Sequence, residues 1–111
     1  MNYKTIREFD NDYKKLAKKF KTLESDFSEF KKILNKFPLG VGKHFCTLTI
    51  GSNTRIIKAR FFCQSLKKKD MRIIYAYSGN CHLVEFIEIF FEGDKPREDG
   101  RRIKSYFSNS Q

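Results

Sequence analysis

The chain has 111 residues, with 23 Lys and Arg against 13 Asp and Glu for a formal net charge of +10, and it is 40% hydrophobic and 15% aromatic, with 12 Phe. That length suits one compact domain, 1–111, with no room for a second core, and so much aromatic mass excludes a disordered basic tail. The charge favours nucleic acid, acidic protein or anionic membrane as partner, and membrane fits worst: no apolar run approaches the roughly 20 residues of a spanning helix, and the polar start MNYKTIREFDND lacks a signal-peptide core.

A cytoplasmic location is therefore expected. In chain order, Tyr3 to Phe9 reads as a short strand, and Asp10 or Asn11 as the cap of a first helix. Tyr13, Leu16, Ala17 and Phe20 form one apolar stripe of that helix, leaving Lys14, Lys15, Lys18 and Lys19 to solvent. Leu23, Phe27, Phe30, Leu34 and Phe37 repeat the stripe in a second helix, which starts between Thr22 and Ser25 and must end by Pro38. The two make an antiparallel hairpin. Leu39 to Lys43 (LGVGK) lacks the spacing of a phosphate loop and reads as a flexible connector.

Beyond the connector the chain turns β-rich. His44 to Ile50 and Arg55 to Cys63 flank the turn composition GSNT and suggest a hairpin. The charged turn Ser65 to Asp70 leads to a strand Met71 to Tyr77, a turn Ser78 to Asn80 and a long apolar strand His82 to Phe91. A Pro-containing loop, Lys95 to Glu98, precedes a short basic helix opened by Asp99 or Gly100, with Ile103, Tyr106 and Phe107 on its inner side. Helices early and strands late predict an α+β fold: a mostly antiparallel sheet covered on one face by the N-terminal helical hairpin, with a short C-terminal helix. No internal repeat is present.

Strand alternation places Lys58, Arg60 and Arg72 on the face opposite the buried residues of their strands, converging without an obvious carboxylate partner. The plainer reading is solvation, or pairing with Glu85, Glu88 or Asp99. Lys14–Lys15, Lys18–Lys19 and Lys67–Lys68–Lys69 read as solvated faces adding general attraction to RNA. Tyr75 and Tyr77 could stack a base, although strand tyrosines are more often core. Cys46, Cys63 and Cys81 read as buried thiols. A zinc site drawn from His44, Cys46, Cys63, Cys81 and His82 has no CxxC or HxxxH pair behind it, so no metal is expected, and His82 reads as a cap or core residue.

An N-terminal strand, a Lys-rich helical hairpin, the strand KAR (Lys58 to Arg60), a basic turn, MRIIYAY (Met71 to Tyr77) and a hydrophobic strand ending in a charged loop together resemble the RelE/ParE superfamily of type II toxins. The resemblance covers nearly the whole chain, and the order of these short motifs is its most specific part. RelE-branch members cut mRNA in the ribosomal A site and ParE-branch members poison DNA gyrase; an acidic cognate antitoxin neutralises both. The resemblance favours the RelE branch, a ribosome-dependent endoribonuclease without metal or other cofactor. The alternative is a gyrase inhibitor or a noncatalytic nucleic-acid-binding member of the same fold. It also implies a free toxin that is monomeric.

Metal-free RNA cleavage needs an activated 2′-hydroxyl, a stabilised in-line phosphate and a proton for the leaving oxygen. The resemblance assigns phosphate binding and catalysis to Lys58, Arg60 and Arg72. Arg72 is the preferred transition-state clamp, since a guanidinium holds two phosphoryl oxygens at once; Lys58 or Arg60 would orient the substrate. Family members add basic groups, often with a Tyr or His, after the last strand. Here that region offers Lys95 and Arg97 as cations and Glu92 or Asp94 as bases, and it contains no Tyr or His. Tyr106 lies further on and is expected to pack the last helix onto the sheet.

Overall fold

The computed structural model describes residues 1–65 and 70–110. Its sheet has five strands in the order β1-β5-β4-β3-β2. They are β1 (Asn2–Thr5), β2 (Phe45–Ile50), β3 (Thr54–Phe61), β4 (Met71–Ser78) and β5 (Leu83–Phe91). Strands β2 to β5 pair antiparallel, and β1 lies parallel to β5. Helices α1 (Arg7–Lys19) and α2 (Leu23–Lys36) follow β1, and α3 (Gly100–Ser110) follows β5. The expected α+β architecture is present, with the hairpin on one face of the sheet.

The first strand is shorter than the Tyr3 to Phe9 expected: it ends at Thr5, and Ile6 caps a helix that starts at Arg7. Phe9 is the reason. As a helical residue it joins Tyr13 and Leu16 on one stripe and is buried against Phe27 and Phe86. Asp10 and Asn11 therefore lie inside α1, and Glu8 and Asp10 occupy its first turn, where the helix dipole favours carboxylates. Two residues assigned to apolar stripes are exposed. Ala17 faces solvent on α1, and Phe37 has left α2 as its C-cap, 49% exposed.

Between hairpin and sheet lies an aromatic core of Phe9, Phe27, Phe30, Phe61, Tyr75 and Phe86. Burial pushes the Tyr75 hydroxyl pKa up, so the group stays protonated and donates to the Pro38 carbonyl at 2.8 Å. This is the core role with a satisfied hydroxyl, and it removes Tyr75 from base stacking. The connector is a shaped turn: Gly40 has φ +85°, and a Cβ there would stand 2.1 Å from the Phe45 ring. The buried Asp26 carboxylate accepts the Gln64 N–H (2.9 Å) and the Thr22 hydroxyl (2.8 Å), tying the end of β3 to the start of α2.

On the opposite face Ile56, Ile74, Ala76 and Ile87 form a second, smaller core under α3, joined by Ile103 and flanked by Leu48, Tyr106 and Phe107. Two β-bulges shape this face. In β5 the register shifts between Ile74 and Tyr75 of the partner strand, so Ile87 and Glu88 both turn toward α3. In β2 a shift between Thr47 and Thr49 reverses the facing of the residues before it.

Candidate nucleic-acid interface

Beyond the part covered by α3, the same face carries the cations. The His44 carbonyl accepts the Arg60 N–H at 2.9 Å, and Arg60 stands directly opposite Arg72, so His44, just before β2, forms one row with Arg60 of β3 and Arg72 of β4. The next row runs Cys46, Lys58, Ile74, Glu88. His44, Arg60 and Arg72 of the first row and Cys46 and Lys58 of the second, with Lys43 and Leu48, line an open cleft of about 450 Å³. The expected convergence of Lys58, Arg60 and Arg72 is thus met.

Like charges directly opposite on neighbouring strands repel, and the chain compensates them with its own carboxylates. Asp70 Oδ2 lies 3.0 Å from Arg60 Nε and 3.7 Å from Arg72 Nη1. Glu92 Oε2 is 3.2 Å from Arg72 Nη2. Lys58 Nζ donates to Glu98 Oε1 at 2.7 Å, and that hydrogen bond holds the Glu98 carboxyl below its ordinary pKa against the opposing effect of burial. The expectation of cations without carboxylate partners is therefore corrected. The partners come from segments flanking the strands, outside the alternating pattern that identifies the cations. Arg72 Nη1 is buried and has no hydrogen-bond partner among the described residues, a donor that costs free energy until an acceptor reaches it.

The carboxylates offered by the sequence as partners act elsewhere. Glu85 accepts the Tyr106 hydroxyl at 2.7 Å, which packs α3 onto the sheet as expected. Glu88 is fully buried and pairs with Lys95, while its other oxygen accepts the Asp99 N–H at 2.8 Å. Asp99 caps α3: its Oδ1 accepts the N–H groups of Arg101 and Arg102, both at 3.1 Å, and the Arg102 N–H is the main cause of its lowered pKa. Glu88 is thus the post to which the loop after β5 is tied, and the tie carries Glu98 to Lys58.

The remaining candidates are spread out. Lys95 is engaged by Glu88 and its Nζ lies 5.1 Å from the centre of the Phe90 ring, so it does not line the cleft. Arg97 is exposed on the loop, also outside the cleft lining. Lys18 and Lys19 line a separate hollow of about 600 Å³ between α1 and the end of β5, together with Lys15, Asp94 and Lys95. Lys19 Nζ stands 3.8 Å from Asp94 there. Lys67, Lys68 and Lys69 lie outside the described residues.

Cys46 and Cys81 are exposed and only Cys63 is buried, which corrects the reading of three buried thiols. Among the described residues no three His, Cys, Asp or Glu side chains are grouped to hold a metal ion. His82 is exposed with a positive φ of 48° and closes the short 3-10 turn Gly79–Cys81, a capping position. The sequence reading missed the wall contributed by β2 and the turn before it, namely Lys43, His44, Cys46 and Leu48. Alternation of His44 and Cys46 was the available signal, but the bulge decides which face they take.

A mostly antiparallel five-stranded sheet backed by a helical hairpin, with a short helix on its other face, is a RelE-like fold. The comparison with solved structures agrees: the chain is similar to one in the crystal structure of the archaeal RelE–RelB complex from Pyrococcus horikoshii, with a TM-score of 0.64, 19% sequence identity, and coverage of 83% of this chain and 94% of that one. Comparison with protein-family models and with curated protein sequences found no match. Among the described residues no helix is long and apolar enough to cross a membrane.

Proposed function

We propose that this protein is the toxin of a type II toxin–antitoxin pair, acting in the cytoplasm as a ribosome-dependent mRNA endoribonuclease with a metal-free basic site. The observation that carries the reading is the row of Arg60 and Arg72 beside Lys58, three cations of two neighbouring strands on one open cleft. The fold it shares with a chain of a RelE–RelB complex supports it. A phosphodiester entering the cleft would take the place of the internal carboxylates. Arg72 would clamp two phosphoryl oxygens and stabilise the charge that develops on them, with Lys58 and Arg60 orienting the backbone. Lys95 and Arg97, on the loop after β5, would join only if substrate binding moves that loop.

An acidic antitoxin would complement the +10 surface, with the free toxin a monomer. A second reading, a noncatalytic nucleic-acid binder or gyrase inhibitor of the same fold, is favoured by one observation: Lys58, Arg60 and Arg72 are each already paired with carboxylates. Primer extension on a defined mRNA in a cell-free translation reaction separates the two. The wild type is expected to create new ends within codons only when ribosomes are present. Arg72→Ala should lower that cleavage by about 10²–10³-fold, the usual cost of losing a transition-state donor. Cleavage retained by Arg72→Ala would remove Arg72 from the mechanism; no cleavage by the wild type would leave the binding role and direct the next assay to gyrase.

A further inference from the structure

We propose that His44 is the general base of the cleft, the residue that activates the 2′-hydroxyl of the bound RNA. The inference rests on the endoribonuclease reading and supplies the group that reading lacks. The loop after β5, where proton transfer is expected from the resemblance, contains no Tyr or His. The structure brings a His to the cleft from the other side of the sheet.

Three observations carry the assignment. The β2 bulge between Thr47 and Thr49 sets the facing so that Cys46 lies opposite Lys58 and His44 continues the row of Arg60 and Arg72. Cross-strand neighbours stand roughly 5 Å apart, so His44 and Arg72 flank Arg60 about 10 Å apart, both on the wall of the one cleft. His44 is exposed, so the ring is open to a substrate. The other lining groups suit proton abstraction poorly. Lys43, Lys58, Arg60 and Arg72 are cations, and the nearby carboxylates of Asp70, Glu92 and Glu98 are taken up in ion pairs. Imidazole, by contrast, accepts and releases a proton near neutrality.

In the step, a ring nitrogen of His44 takes the 2′-hydroxyl proton as the 2′ oxygen bonds to phosphorus. The bond from phosphorus to the 5′ oxygen breaks, its electron pair leaves with that oxygen, and solvent protonates it. The products are a 2′,3′-cyclic phosphate and a 5′-hydroxyl. The imidazolium then returns its proton to solvent, so no net proton is consumed.

The test compares wild type, Arg72→Ala and His44→Ala in the ribosome-dependent cleavage reaction, with ribosome co-sedimentation as the binding readout and the rate–pH profile as the readout of proton transfer. The expected result is a fall of about 10²–10⁴-fold in the cleavage rate of His44→Ala, with co-sedimentation within about twofold of wild type. Its residual cleavage should lack the wild-type rise in rate from acid toward neutral pH. A variant rate within about threefold of wild type overturns the assignment, as does a loss matched by equal loss of binding or residual cleavage that keeps the wild-type pH profile. A wild type that cleaves nothing overturns the endoribonuclease reading itself, and the assignment with it.

Discussion

At the scale of single residues, the cleft is a set of cations held in place by the chain's own anions. A carboxylate beside a guanidinium fixes its direction and lowers the cost of gathering like charge, and it also attenuates the field that an incoming phosphate meets. The Lys58–Glu98 pair makes this measurable. Because Lys58 depresses the Glu98 pKa below the ordinary 4.5, the pair contributes stability in full above the unfolded-state value and loses it as pH falls through the lower folded-state value. Glu98→Gln is therefore expected to lower stability at neutral pH by under about 1 kcal/mol, the range for a partly exposed pair. The gap should narrow once pH drops past the ordinary carboxylate value and vanish below the depressed one. Thermal unfolding of both proteins across pH checks this; a gap that persists in acid would mean that Glu98 stabilises by packing instead of charge.

At the scale of elements, the loop between β5 and α3 depends on one buried carboxylate. Glu88 turns away from the aromatic core because of the β5 bulge; without the extra residue, alternation would face it toward Phe86 and Tyr75. On the α3 side it meets Lys95 and the Asp99 N–H, which starts the helix. Glu88→Ala would leave both partners unsatisfied beside an apolar surface. Breaking a buried pair from one side typically costs about 3–5 kcal/mol, and Lys95, 39% exposed, can regain water, so the expected loss is toward the lower end. The distinctive outcome is regional: amides of α3 and the preceding loop should lose hydrogen-exchange protection before those of β3 and β4. Uniform loss of protection would count against Glu88 as a local post. The middle of α1 is tied to the same region by Arg102, which donates to Asp12 at 2.6 Å and to the Ile87 carbonyl at 3.1 Å.

At the scale of the whole molecule, the excess of +10 predicts binding to RNA that weakens steeply with salt, because each phosphate neutralised releases counterions. Lys18 and Lys19 line a hollow that shares no residue with the cleft. Replacing both by Gln should reduce the slope of log affinity against log salt by up to about 2 if each meets a phosphate, while cleavage of saturating substrate stays unchanged. An unchanged slope would assign them to the solvated surface. The architecture was legible in the chain because its signals are local: apolar stripes at helical spacing mark α1 and α2, alternation marks β3 and β4, and Asp99 stands where a cap is needed. The same alternation put Lys58, Arg60 and Arg72 on one face. Errors fell where a local pattern served two conformations, as at Ile6 to Phe9, or ran past its element, as at Phe37. The carboxylate partners and the His44 wall were settled only in three dimensions. Two bulges, in β2 and β5, reverse which residues take the cleft side of the sheet, and a one-residue slip in register leaves no mark on composition or periodicity.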